Sequence, residues 1–315
     1  MKKYLLTFIA LGALSSYAKE VPDLRILTYE GVSSEWGVGP KWQKGFEEQC
    51  GCTISFSAVN GGSASIITRA TLDSNSYDIL LGIDNSMMAD ARRLGLIQSH
   101  QIELPELAIN WTDKDFIPFD YGYLAFVGRK GETLPQSFDE LITNQNIKIV
   151  MEDPKTSGFA HWIYGVYGEN TAEKWNELKK HITTITPSWS EAYKIFLDGE
   201  ADVVVSYSTS PAYHIAFEKN DGYQSLIFPE GHYEQIEVAA ISKTSQNPEL
   251  ARQFLKYILS PEAQKELPLT NFMYPSLKNV ELPDAFKGLK IPTTSIYPTV
   301  SNQEIGDIWV HDIAQ

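Results

Sequence analysis

The feature that constrains this chain most is an order of short apolar runs and amphipathic segments that occurs twice. In the first series, Leu24–Tyr29, Thr53–Val59 and Ile79–Ile83 are rich in aliphatic and β-branched residues and read as strands. Between them, Pro40–Glu48 reads as a helix with Pro near its first position and Trp42 and Phe46 four apart, and Ala64–Leu72 as a helix following the turn Gly61-Gly62-Ser63. Asp84 or Asn85 is then placed to cap a helix carrying Met87, Met88, Ala91 and Leu94 on one side. In the second series Ile147–Met151, Thr183–Thr186 and Asp202–Ser206 alternate with helical stretches at His161–Tyr167, Ala172–His181, Glu191–Leu197 and Ala212–Lys219. Such an order predicts α/β lobes, each with a mixed, mostly parallel sheet flanked by helices.

The aromatic, alternating stretch Phe119–Gly128 lies between the two series and is suited to carry the chain from one lobe to the other, with a return crossing at Gln235–Ile241. Pro248–Leu259 then reads as an amphipathic helix. The boundaries that follow are residues 19–118 for the first part of lobe 1, 119–235 for lobe 2, and 236–315 for a return to lobe 1 with C-terminal helices. Residues 1–18 stand apart. Lys2 and Lys3 precede an apolar run from Tyr4 to Leu14 and the small-x-small site Ser16-Tyr17-Ala18, which reads as a signal peptide that directs the chain to an exported compartment, the periplasm. That run is too short to span a bilayer, and no direct membrane insertion is expected.

Composition removes several functions. Hydrophobic residues at 43% and charged residues at 21% are an ordinary globular balance. A formal net charge of −14 works against nucleic acid or an anionic bilayer as partner. There is no G-x-S-x-G elbow, H-E-x-x-H, Walker A or dinucleotide fingerprint, and the six His are scattered. The chain therefore reads as a binding protein, not an enzyme, and no cofactor or metal is called for. Cys50 and Cys52 either bridge in the oxidising compartment or stay free, since an extended i,i+2 pair sits near the upper limit of disulfide Cα separation.

In open α/β sheets ligands sit beyond the carboxyl ends of the strands. The residues there are unusually aromatic. Tyr29 and Trp36 follow the first strand, Gly61 and Gly62 the second, and Asp84 the third; Ser157, then Trp189 and Ser190, then Tyr207 and Tyr213 follow the strands of the second half. An isolated Trp or Tyr is more often packed than functional, but position after a strand brings the two readings level for Trp36 and Trp189. Ring faces attract flat or cationic ligands by about 0.5–2 kcal/mol each, and Asp84, Glu30 or Asp120 can supply a carboxylate. Asp84 has the simpler reading of a helix cap, and the run Phe119, Tyr121, Tyr123, Phe126 that of strand packing. Asp153–Gly158 opens a helix where N–H groups, a hydroxyl and Lys155 can receive a phosphate, although Ser157 also reads as a cap and Lys155 as a solvated charge.

Several stretches are specific enough to carry a resemblance: Leu27-Thr28-Tyr29-Glu30 leading to Trp36-Gly37-Val38-Gly39-Pro40, Gly82-Ile83-Asp84-Asn85, Trp189-Ser190-Glu191-Ala192-Tyr193, Ser206-Tyr207-Ser208-Thr209-Ser210-Pro211-Ala212-Tyr213-His214 and Asn271-Phe272-Met273-Tyr274-Pro275. Over nearly the whole chain after residue 18 the sequence resembles the periplasmic thiamine-binding proteins of bacterial ABC importers, within the two-lobed solute-binding proteins. The resemblance implies a type II-like binding-protein fold hinged by its crossover strands. It implies that Tyr29, Trp36, Trp189, Tyr207 and Tyr213 surround thiamine, with Ser157 and Ser190 giving polar contacts, including to the phosphate of thiamine monophosphate or diphosphate. Gly61, Gly62, Asp84 and Asn271 complete the expected ligand site, and an inner-membrane ABC permease is the expected partner. The sequence departs from the family pattern twice: Gly61 stands where an acidic residue is expected before Gly62, and Phe272 stands in place of a Trp. A ferric-ion binder of the same fold, with Tyr207 and Tyr213 as phenolate ligands, is the alternative, and an exported hydrolase using Ser157 a more remote one.

Overall fold

The computed structural model describes residues 22–144, 146–154 and 157–308; the signal peptide expected at 1–18 lies outside these residues. The strands are β1 (Asp23–Tyr29), β2 (Thr53–Val59), β3 (Ile79–Asp84), β4 (Ile97–Gln98), β5 (Phe116–Arg129), β6 (Ile149–Glu152), β7 (Ile182–Thr186), β8 (Val203–Tyr207), β9 (Tyr223–Leu226), β10 (His232–Ser242), β11 (Tyr274–Pro275) and β12 (Ser295–Ile296). Their order across the sheet is β2-β1-β3-β10-β5-β8-β6-β7. The trios β2-β1-β3 and β8-β6-β7 are internally parallel, and β10 and β5 join them in antiparallel register.

β5 belongs to both halves. Its residues Phe116–Tyr123 pair with β10, whereas Leu124–Gly128 pair with β8. Each trio has its own core. In the first, Trp42 is fully buried on the helix Gly39–Cys50, donates its indole N–H to the Ala263 carbonyl at 3.0 Å and meets Phe119 edge-on at 5.7 Å. In the second, Trp162 on the helix Phe159–Tyr167 donates to the Gly231 carbonyl at 2.9 Å among Phe126, Phe138 and Phe159. Burying rings of this size contributes about 1.5–3 kcal/mol each, so the two lobes are separately cored and the strands between them are where they can flex.

Three differences from the sequence reading, and one point it left open, have physical causes. Asp84 does not cap the helix Met88–Arg93, whose N-cap position is Met87; its carboxylate instead accepts from the Ser86 N–H at 2.8 Å and the Ser86 hydroxyl, an Asx turn that ends β3. Asn85 does not cap it either. Cys50 and Cys52 form a disulfide, because Gly51 ends its helix at φ +62° and folds the chain back to a Cα–Cα distance of 5.2 Å instead of leaving it extended. The helix expected over Ala212–Lys219 is a short turn Pro211–Tyr213 followed by a π-helix, His214–Glu218. Finally, the chain does not stay in lobe 1 after residue 236. β12 pairs with β10 beside His232–Tyr233, Ile296 and Ile305 enter the second core, and the Asn302 side chain donates to the Ser86 carbonyl at 2.7 Å while holding the His161 ring at 2.7 Å. Among the described residues no helix is long and apolar enough to cross a membrane.

Asn85 fastens lobe 1 to the crossing strand. Its amide donates to the Glu234 carbonyl at 2.9 Å, and its oxygen accepts from the Tyr233 hydroxyl at 2.9 Å and the Ile236 N–H at 3.2 Å. Truncation strands three polar groups in a poorly solvated seam. Asn85→Ala is therefore expected to lower unfolding free energy by at least about 2 kcal/mol in urea denaturation; a change within about 0.5 kcal/mol, the range of a surface substitution, contradicts this role.

Candidate functional site

The ends of β1, β3, β6 and β8 converge where the two lobes meet. Tyr29 closes β1, and its ring crosses the neighbouring strand at Gly82. A Cβ at Gly82 would stand 2.5 Å from the ring, and one at Gly31 2.8 Å from it, so glycine at both positions makes the slot that holds Tyr29. Gly82 also sits at φ +92°, which only glycine adopts without strain. The Tyr29 hydroxyl donates to Glu237 at 2.9 Å and lies 3.3 Å from the Asn271 oxygen, an alternative acceptor. Trp36 lies in the loop beyond, 60% exposed, with its ring 3.7 Å from the Cβ that Gly31 lacks.

From lobe 2, Trp189 is the first residue of the helix Trp189–Leu197. Its indole N–H donates to the Ser206 hydroxyl at 2.8 Å and its ring stacks on Tyr193 at 5.0 Å, which fixes its plane while leaving it 38% exposed. Tyr207 ends β8 and accepts from the Gln235 amide at 2.7 Å. Tyr213 is on the rim, edge-on to Phe272 at 5.4 Å and beside the exposed Phe217 at 5.7 Å. The Gly61-Gly62 turn after β2 reaches lobe 2: a Cβ on Gly61 would be 3.9 Å from the Pro187 carbonyl. Ser157 is half-buried in the loop after β6, and Ser190 is exposed beside Trp189. Lys155, considered for a phosphate, lies outside the described residues. Glu30 is exposed and makes no carboxylate floor.

That floor comes from elsewhere. Strand register sets Glu237 of β10 opposite Asp84 of β3 on one side and opposite Asp120 of β5 on the other, a row of three carboxyl groups on three adjacent strands. Asp84, Glu237 and Asp120 are 4%, 8% and 0% exposed. Asn271 donates to both Asp120 and Glu237. Glu152, at the end of β6, adds a fourth from lobe 2. Burial, with the Asp84 charge nearby, pushes Glu237 up to about 7 despite the hydrogen bonds it receives from Tyr29 and Asn271. Burial, with the Asp84 and Asp153 charges, pushes Glu152 up to about 8. Asp120 is raised well above the carboxylate range by burial and by Glu237. Burial likewise raises the Tyr29 and Tyr207 phenols. Among the described residues none of these carboxyl groups forms an ion pair with Lys or Arg.

Sequence reasoning placed Asp84 and Asp120 but missed Glu237 and Glu152. The one signal for Glu237 is a carboxylate inside the apolar run Ile236–Ile241; its row is visible only once the strands are paired. Two buried histidines are already engaged: His214 bonds Tyr193 at 3.0 Å and Glu218 at 2.7 Å, and His232 bonds the Phe228 N–H and the Leu124 carbonyl. Among the described residues no three His, Cys, Asp or Glu are grouped to hold a metal ion.

A two-lobed sheet crossed by two strands, with its polar and aromatic residues gathered between the lobes, defines a solute-binding protein, and the family model for bacterial extracellular solute-binding proteins matches residues 43–267. The thiamine-binding periplasmic protein of Escherichia coli K12 is 39% identical over 307 residues, covering 94% of this chain and 93% of that one. Its counterpart in Brucella abortus is 38% identical, with 98% and 96% covered. A solved periplasmic thiamin binding protein superposes with a TM-score of 0.85 at 38% identity, over 93% of this chain and 95% of that one. A ferric binding protein from Campylobacter jejuni shares the fold, with a TM-score of 0.74 at 20% identity over 92% and 97% of the two chains. The chain belongs to the bacterial extracellular solute-binding proteins and, within them, to the family of the thiamine-binding periplasmic proteins; it is a binding component, not an enzyme.

The Tyr29 slot gives a direct test. Gly82→Ala puts a methyl group into the ring at a left-handed backbone position, and is expected to cost about 2 kcal/mol or more in denaturant unfolding and to weaken ligand binding through the displaced ring. Unchanged stability and binding would show that Tyr29 is not held this way.

Proposed function

We propose that this protein captures thiamine in the periplasm between its two lobes and delivers it to an inner-membrane ABC permease, after export on the signal peptide Met1–Ala18. The observation that carries the reading is the pairing of ring faces from both lobes with a floor of buried carboxyl groups that have no cationic partner among the described residues. Thiamine supplies the complement: a flat aminopyrimidine and a thiazolium ring with a permanent positive charge. Tyr29 and Trp36 from lobe 1 and Trp189, Tyr207 and Tyr213 from lobe 2 give it stacking and cation–π surfaces on both sides. Asn271 and Asp84 line the floor, and the Gly61-Gly62 turn brings the lobes together at Pro187. A ligand that touches both lobes favours the closed state, because only there are both sets of contacts made. Thiamine monophosphate and diphosphate share the rings; their phosphate would extend toward Ser157 and Ser190, away from the carboxyl row.

Calorimetric titration with thiamine, its two phosphates and ferric citrate, with Trp fluorescence followed in parallel, tests this. Tight thiamine binding with quenching is expected, and Trp189→Ala should lose at least about 1 kcal/mol of binding free energy. Unaltered affinity in that variant removes Trp189 from the site, and a visible charge-transfer band on adding iron in place of thiamine binding supports the ferric alternative.

A further inference from the structure

The carboxyl row is more than a negative lining. Asp84, Glu237 and Asp120 lie side by side on β3, β10 and β5, and like charges directly opposite one another on neighbouring strands repel. One Asp120 oxygen is held by Asn271, but the other, Oδ1, is buried without a hydrogen-bond partner among the described residues, at a residue with 0% exposure. A buried, unpartnered carboxylate oxygen beside a second carboxylate is among the costliest arrangements a core can hold, unless a proton or a cation completes it.

We propose that Glu237 and Asp120 form a proton-exchange subsite for an organic cation: the empty protein holds a proton on this pair, and the entering cation displaces it to solvent. This rests on the reading of the cleft as a cation-binding site and names the residues that set its charge selectivity. The exchange balances, since one positive charge leaves as one arrives and no bond other than O–H is broken. Glu237 is faced by the Tyr29 hydroxyl from β1, Asp84 from β3, Asp120 from β5 and Tyr207 from β8, with the Asn271 amide between it and Asp120. Glu152, on β6, faces Asp84 from lobe 2 and also feels the charge of its neighbour Asp153. None of these facing groups is cationic. With Glu237 titrating near 7 and Glu152 near 8, protonated carboxyl groups are present in the empty site at neutral pH. A cation favours the ionised forms, so affinity rises with pH through this window and levels above it.

Two measurements separate this inference from the reading beneath it. The first needs no ligand: infrared spectra of the empty protein should show a protonated-carboxyl stretching band at pH 6 that is lost by pH 9, and Glu237→Gln should diminish it. Asp120→Asn, which keeps the acceptor for Asn271, should diminish it as well. The second is thiamine titration at pH 7 in buffers of different ionisation enthalpy, where release of about one proton per thiamine is expected. Glu237→Gln should release less, bind at least about tenfold more weakly at pH 8, and lose most of the pH dependence. No protonated-carboxyl band, or thiamine binding without proton release, overturns the inference while leaving thiamine capture standing. The band without thiamine binding supports the proton-holding pair and overturns the choice of thiamine as its cation.

Discussion

Two antiparallel strands, β5 and β10, are the constraint on which the rest of this structure depends. They are the inner pair of the sheet order, each bonded to the other and to one parallel trio. Because side chains alternate along a strand, a register fixed by the cores on either side also fixes which residues of β5 and β10 face the junction of the lobes. Glu237 and Asp120 are placed by that register, next to Asp84 at the end of β3. The same strands are the ones that join the lobes, so the groups that set the electrostatics of the cleft belong to the connection itself.

Three carboxyl groups in one buried row would destabilise the sheet if all were ionised and nothing answered them. The surrounding residues offset only part of this, through the Tyr29 hydroxyl and the Asn271 amide. The rings supply the rest of the logic. Tyr29 is locked between two glycines and Trp189 between Ser206 and Tyr193, so both faces are set before a ligand arrives and little ordering remains to oppose binding. A flat cation satisfies rings and row together, whereas a neutral flat ligand satisfies only the rings.

Much of this was legible in the sequence, for reasons that differ by residue. Thr53–Val59 emerged with its bounds because β-branched residues run between clear turn signals, and Tyr29, Trp189 and Tyr207 emerged from the rule that ligands gather beyond strand ends. Asp84 was found but given the wrong partner, since a helix cap and an Asx turn share one sequence signature. The disulfide turned on whether Gly51 takes a left-handed conformation, which the residue allows but does not announce. Glu237 and Glu152 were hidden because their meaning is relational: each is one acidic residue until strand pairing or lobe contact sets it beside Asp84. The last crossing, through β12, was hidden by its two-residue length.

The central claim is that the cleft is incomplete without a cation, and thermal unfolding across pH tests it most directly. Glu237 and Glu152 hold protons more tightly folded than unfolded, so their contribution is present below the ordinary carboxylate range and is lost as pH rises toward about 7 and 8. The empty protein should therefore lose melting temperature between pH 5 and pH 9, and saturating thiamine should restore it, with the ligand-induced increase larger at pH 9 than at pH 5. An increase of the same size at both ends of that range would contradict the account.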